Sequence, residues 1–435
     1  VPQGSVSTLT VPPGVTTLKS IMPILRLQNE IQRYAWGSLD AIPRLLRLSN
    51  PSREPMAELW MGAHPKAPSK VEIAPGKLQP LGEYIAADPF TRLGPRVAER
   101  FDGRLPFLFK ILAVHTALSI QAHPTKHQAR EGFEREERAG IPIDAFERNY
   151  RDKNSKPELI VAMGEFWALR GFRPIPEIRR RLGSIECPQI LSGAFEALEM
   201  SDEQQAYAAL VQALLGIPKQ EVDMLLAKAD QIAQVKRQDV MWYWVHELTR
   251  SFPQDLGALA PLYLNLVKLR PGDGMFLPAG ELHAYLRGSA IEIMASSDNV
   301  LRGGLTAKHI DRDELRRILR FERTDVQIID PEVVDRTSRV YRTPVPEFEL
   351  WRHSTPSLPA PKHLGGAAGA VRLETGNTLE ILLSLDGYSD LRFDDQVIRL
   401  EPGESAFVTA DTGSYSVSGS ALLYRARVGT LEADG

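Results

Sequence analysis

The 435-residue sequence predicts a mainly β protein with a helical insertion, arranged as two jelly-roll barrels and an all-helical domain. Three features carry this expectation. Short apolar runs separated by Gly, Pro and Asn fill residues 22–170 and 259–429, the pattern of strands and turns. Between them, from Arg173 to about Pro253, the apolar period lengthens to that of a helix. The segment Val267–Ala279 (VKLRPGDGMFLPA) is also echoed without a gap by Ile398–Ala410 (IRLEPGESAFVTA), so one strand-turn-strand unit occurs twice. Carried forward, that register sets His283 opposite Ser414, and only the first barrel keeps a metal-type residue there. The expected division is a mobile N-terminal extension over 1–21, the first barrel in two parts over 22–170 and 259–330, the helical insertion over 171–258, and a metal-free jelly roll over 331–435.

Composition narrows the function classes. A net charge of −3 with no dense Lys/Arg run gives no electrostatic reason to bind nucleic acid or an anionic membrane. The single Cys187, followed by Pro188, excludes an intrachain disulfide and a Cys-based metal site, and is read as structural. No run approaches the roughly 18 apolar residues of a membrane helix, so a cytoplasmic monomer with a small-molecule substrate is expected. Met22 reads as the natural start, after a Ser-, Thr-, Pro- and Gly-rich leader.

Along the chain, Gln32–Ser38 (QRYAWGS) and Ala57–Pro65 (AELWMGAHP) mix aromatic and polar residues around Gly, as sugar sites and ordinary strand turns both do. Residues 105–123 form an apolar run broken by Lys110 and His115. Ser119, Gln121 and His123 end it at period two, which sets them on one face, and Pro124 stops the strand. His127 has helical spacing from His123, but the intervening Pro124 favours Gln121 as the partner of His123. After a charged helix over 126–138, Glu158 opens an apolar strand beside Lys156, which is either its ion-pair partner or a reacting group. In the helical block, Ser201–Gln204 reads as a cap, Ala209, Leu210, Ala213 and Leu214 repeat at helical spacing, and two further helices span 222–233 and 240–248. A hairpin is expected through 267–277, with a second turn at Gly280 returning the chain through His283 and Tyr285. A separate strand over 290–295 places Glu292 among apolar neighbours, and the loop Ser296–Asn299 delivers Arg302 and Lys308.

Gln121, His123, Glu158 and His283 are oxygen and nitrogen donors from different strands of one barrel. Two imidazoles, a carboxylate and an amide oxygen suit one Zn²⁺ per chain with a position left open. Their net charge leaves the site cationic, which favours a developing oxyanion. Together with LPFLFKIL, ALSIQAHP, NSKPELIVAM, GDGMFLPAGELHAYL and SDNVLRGGLTAKHID, the two upstream segments make residues 27–320 resemble the type I mannose-6-phosphate isomerases. The resemblance implies Zn²⁺ held by Gln121, His123, Glu158 and His283, an active-site Arg302, and a cupin-type catalytic barrel with a helical domain and a second barrel. It implies ring opening of a sugar phosphate and proton movement between C1 and C2 through a cis-enediol. On that reading Arg302 stabilises the enediolate, Lys156 and Glu292 are the acid/base candidates, Asp298 assists ring opening, and Lys110, Ser119 and Lys308 hold the phosphate. Ser155 stands where the family usually has His before Lys-Pro-Glu, so no role of that His carries over. Two other readings compete: a non-haem iron oxygenase, in which Gln121 would fill the position oxygen needs, and a sugar-binding cupin, which leaves Arg302, Lys156 and Glu292 without a purpose.

Overall fold

A computed structural model describes residues 23–355 and 370–430; the extension expected over 1–21 lies outside them. The described strands form a 10-stranded and an 11-stranded sheet. The first is organised by one strand, His283–Ala295, which the sequence pattern divides in two. The division marks a bend rather than an end. Pairing shifts register between Tyr285 and Arg287, and Gly288 takes φ +126°. A Cβ at Gly288 would lie 2.5 Å from the Glu165 carbonyl, so a side chain cannot be accommodated where the strand crosses its neighbour. Before the bend the strand pairs with Phe166–Phe172 and Ile120–Ala122; after it, with Phe107–Val114 on one side and Glu158–Ala162 on the other. Both of these last neighbours are buried along their whole length, which explains their unbroken apolar sequences.

Leu264–Leu269 and Gly274–Leu277 do not form the expected hairpin. The former pairs with Phe166–Phe172 and the latter with Glu158–Ala162, so the intervening turn, with Gly272 at φ +91°, carries the chain between two partners. Turn residues and alternation specify where strands reverse, not which strand each one meets. The repeat holds at the level of elements. Gln396–Leu400, Ser405–Val408 and Ser414–Arg427 follow the order and register of Leu264–Leu269, Gly274–Leu277 and His283–Ala295, and His283 and Ser414 each open a strand.

Strand pairing also crosses the boundary expected between the two β units. Ile24–Gln28 pairs with Ser405–Val408, matching Leu25 to Phe407, and Lys70–Ala74 and Lys77–Pro80 continue the C-terminal sheet outward. Ser405–Val408 is buried throughout, and the added strands cover an edge that would otherwise expose unpaired backbone.

Between the halves of the first sheet lie the helices Ile175–Gly183, Ser192–Ala197, Glu203–Gly216, Lys219–Val235 and Val240–Ser251. Asp202, within the expected capping segment, caps the third through the Gln205 N–H at 2.9 Å. Their apolar faces share one core with the strands, where Tyr207 stacks on Phe172 and Cys187 packs as an ordinary half-buried side chain. Among the described residues, no helix is long and apolar enough to cross a membrane. Gly288→Ala should lower stability by about 2–4 kcal/mol, read from urea midpoints. A loss below about 0.5 kcal/mol would show that the bend accommodates a Cβ.

Candidate metal centre and cationic mouth

The strand Ile120–Ala122 lies between His283–Ala295 and Leu301–Gly304. Gln121 is opposite His283 on one side and Arg302 on the other, so the three share a sheet face. His123 follows on the same side, and Glu158 opens the strand that pairs across the bend. His123, Glu158 and His283 are each no more than 1% exposed, and their donor atoms lie within 4.8 Å of one another. The His123 Nε2 is 3.2 Å and the His283 Nε2 is 3.5 Å from the Glu158 carboxylate oxygens.

Proton placement makes this a cation site. The Nδ1 of His123 meets the Asn299 carbonyl at 2.8 Å, and that of His283 meets the Glu281 carbonyl at 3.0 Å. A carbonyl only accepts, so each Nδ1 carries a proton, and in a neutral imidazole the Nε2 then presents a lone pair. Both Nε2 atoms are buried without a hydrogen-bond partner. Two lone pairs and a carboxylate therefore converge with no proton between them. A metal ion with nitrogen and oxygen preference satisfies all of them, and Zn²⁺ suits this donor set.

Charge around Glu158 is balanced in layers. Lys156 Nζ lies 2.7 Å from Glu158 Oε1. Burial alone would raise the Glu158 pKa, but the Lys156 ammonium beside it holds it well below the usual carboxylate range. On the other side the Tyr285 hydroxyl, 3.0 Å from Glu158 Oε2 and 3.1 Å from Glu292 Oε1, is kept protonated by burial and by both carboxylates. Glu292 is opposite Lys110 in the register, at 3.2 Å. Burial pushes the Glu292 pKa up against the opposing pull of Lys110. Lys110 also faces Glu58 at 3.6 Å and lies over the Trp60 ring, 5.2 Å from its centroid.

Lys110, expected at a phosphate, is thus drawn into a buried ion-pair row beneath the metal donors. Ser119 is half-buried in the loop before Gln121. Lys308 lies in the field of Arg302, Arg151 and Lys66; burial first, then these cations, lower its pKa. The Arg302 pKa is lowered by burial and by Arg151. Among the described residues, neither Arg302 nor Lys308 has a carboxylate in ion-pair range. Asp298 instead meets Lys66 at 2.8 Å and His64 Nε2 at 3.3 Å, and these partners keep it ionised despite burial. His127, set aside in favour of Gln121, is exposed beside Glu131.

Glu58, His64, Lys66, Tyr285 and Arg151 have no role in the sequence reading. Tyr285 was within reach, because two residues beyond His283 on one strand means the same face. The others come from separate strands and loops, and only tertiary pairing brings them to the site.

The metal donors generate one expectation for pH. Burial, then Lys156, pushes the His123 pKa from 6.5 down to about 4. A depressed imidazole contributes stability fully above the unfolded value and loses it as pH falls through the folded one. The zinc-free chain should therefore lose stability between pH 6.5 and about 4, followed by urea midpoints, and His123→Gln should flatten that slope. An unchanged slope in the variant would assign the loss to other groups.

Comparisons with known proteins agree with this arrangement. Residues 24–175 match the family model described as Phosphomannose isomerase type I, catalytic domain, and residues 367–428 match Mannose-6-phosphate isomerase, cupin domain. The chain is 40% identical to the mannose-6-phosphate isomerase of Escherichia coli K12 over 404 residues, covering 92% of this chain and 98% of that protein. It is 33% identical to the human enzyme over 359 residues, covering 77% and 82%. Its structure resembles that of the Salmonella typhimurium mannose 6-phosphate isomerase bound to its substrate fructose 6-phosphate and zinc, with TM-score 0.82, 37% identity, and coverage of 94% of this chain and 100% of that one. A zinc-bound holo structure of mannose 6-phosphate isomerase matches with the same score.

Proposed function

The chain belongs to the type I mannose-6-phosphate isomerases, and from that premise we propose that it interconverts D-mannose 6-phosphate and D-fructose 6-phosphate through a cis-enediol, using one Zn²⁺. The observation that carries this reading is the register in which His283 faces Gln121 and Gln121 faces Arg302. A converging set of metal donors and a cation without a carboxylate partner are neighbours on one face, so both ends of a sugar phosphate meet their complements at once. We take the chain as a monomer made of two barrels and a helical domain, with Ile24–Gln28 contributed to the second barrel.

Gln121 joins His123, Glu158 and His283 as the fourth ligand. Bound Zn²⁺ supplies Lewis-acid polarisation of the sugar oxygens beside the reacting carbons. Lys308, in the field of Arg151, holds the phosphate together with Ser119 from the loop before Gln121. Arg302 stands between that end and Gln121, where it stabilises negative charge as the enediol forms. Its guanidinium is partly desolvated, which raises its effect on developing charge.

Ring opening needs a base for the anomeric hydroxyl and an acid for the ring oxygen. Ser155 supplies neither at neutral pH, and the acid–base pair nearest the mouth is Asp298 with His64. For the transfer between C1 and C2, one group must take a proton from one carbon and return it to the other on the same face. Lys156, at the edge of the donor set, and Glu292, beneath Tyr285, are the two candidates, and each already has an ion-pair partner, Glu158 and Lys110 respectively. Lys110 then serves to fix Glu292 and Glu58 rather than to hold the phosphate.

A coupled assay of mannose 6-phosphate conversion, before and after chelation and with Zn²⁺ restored, tests this. Activity should vanish on chelation and return with zinc, and Arg302→Ala should lower kcat/KM by about 10²–10³-fold in the zinc-loaded enzyme. A folded, zinc-loaded chain without activity would overturn the assignment.

A further inference from the structure

Asn299 is fully buried in the loop between the last residues of His283–Ala295 and Arg302, and no step of the reaction uses its side chain. Its Oδ1 accepts from the backbone N–H groups of Arg151 at 2.7 Å and Asp152 at 3.2 Å. Its Nδ2 donates to the carbonyls of Asp152 at 2.8 Å and Asn154 at 2.9 Å, and reaches Asp152 Oδ1 at 3.2 Å. One amide thus closes the loop that carries Arg151 and leads directly into Lys156 and Glu158. The Asn299 backbone carbonyl is the group that receives the His123 Nδ1 proton.

A second set of bonds stitches the same two loops. Asp152 accepts from the Ser297 hydroxyl at 2.9 Å and from the Asp298 N–H at 2.8 Å, while the Asn299 N–H donates to Ser297 Oγ at 3.2 Å. The contacts require an acceptor and a two-proton donor in one short planar group. Asp would keep the acceptor, lose both protons and face two carbonyl oxygens with an anion. Gln would carry the amide one methylene too far.

We propose that Asn299 is a positioning residue that joins metal grip to capture of the anionic end, by tying the orientation of His123 to the loop bearing Arg151. The proposal rests on the metal and phosphate ends assigned above. When the loops hold their mutual register, the His123 Nε2 points at Glu158 and Arg151 stands beside Arg302 and Lys308. When they part, both arrangements loosen together.

The test compares Asn299→Asp with the unaltered chain and with Asn154→Ala, which removes an exposed side chain but keeps the Asn154 carbonyl. Zinc affinity is read by competition with a chromogenic chelator, and inorganic phosphate affinity by calorimetry on the zinc-loaded protein. Steady-state KM and kcat for mannose 6-phosphate are read alongside. Asn299→Asp should weaken zinc by about 10–100-fold, weaken phosphate several-fold and raise KM, while Asn154→Ala stays within about twofold throughout. Zinc and phosphate affinities both within about twofold in Asn299→Asp, with only the melting temperature lowered, would reduce Asn299 to a fold-stabilising residue and overturn the proposal. A change in one affinity without the other would overturn the coupling. Should Asn299→Asp fail to fold, Ser297→Ala, which removes the hydroxyl bonds to Asp152 and from the Asn299 N–H, should move both affinities in the same direction by a smaller factor; no shift in either would count against the proposal. The zinc and phosphate readings need no turnover, so they separate failure of this inference from failure of the isomerase assignment.

Discussion

Burial of the Glu158 carboxylate is the constraint from which much of the site follows. An isolated buried anion is too costly to persist, so its charge has to be met inside the protein. Here Lys156 meets it on one side and the Tyr285 hydroxyl on the other. Tyr285 shares its proton with Glu292, which needs Lys110, and Lys110 in turn balances Glu58. Each partner is forced by the one before it. The row stays in place because the strands Glu58–Met61, Phe107–Val114 and His283–Ala295 lie side by side, so its members are cross-strand neighbours.

Strand alternation divides the region around Arg302 into two faces. Gln121, His283 and Arg302 point to the metal side. Their neighbours in sequence, Ile120, Leu282 and Gly303, instead line a cavity of about 810 Å³ between this sheet and the helical block. That cavity is therefore not where the metal donors meet. It marks where the helices support the strands from behind. Asp255 accepts from the Gly257 N–H at 2.8 Å and the Thr306 N–H at 2.9 Å, which holds the segment between Arg302 and Lys308 against the helical block. Gly257 and Gly304 approach so closely that a Cβ on Gly304 would lie 3.0 Å from the Gly257 Cα. The helical block, which carries no chemical cluster in its sequence, thus contributes to the site by fixing the backbone that presents its cations.

How much of this was legible follows from the range of each interaction. The helix Lys126–Arg138 was readable because its Thr125–Gln128 capping box is local. Glu158 and His283 stood out because a carboxylate and an imidazole interrupt apolar strands, and the repeat was visible because both copies keep the same turn chemistry. The hairpin expectation failed because alternation fixes a face and not a partner. Ile24–Gln28 could not be assigned to the C-terminal sheet from sequence, since nothing local distinguishes one apolar edge from another. Lys110 was ambiguous for a related reason: as a lone cation in an apolar run it is equally consistent with a phosphate and with a buried carboxylate. Its register opposite Glu292 is visible only in the fold.

The two ends of the site are held in opposite electrostatic conditions. At the metal end each buried charge has a partner, and the lone pairs of His123 and His283 await a cation. At the mouth Arg302, Arg151 and Lys308 repel one another; burial and this repulsion together lower the Arg302 and Lys308 pKa values. A fold tolerates unpaired cations only where other contacts fix the backbone beneath them, as the Asp255 and Asn299 bonds do here. Under the proposed function an arriving dianion would relieve that repulsion, so part of its affinity would already be stored in the folded chain. Asp298, in the loop before Arg302, is already claimed by Lys66 and His64. Charge at the mouth can remain uncompensated because neighbouring charge is fully compensated, and the register of a few strands sets the boundary between the two.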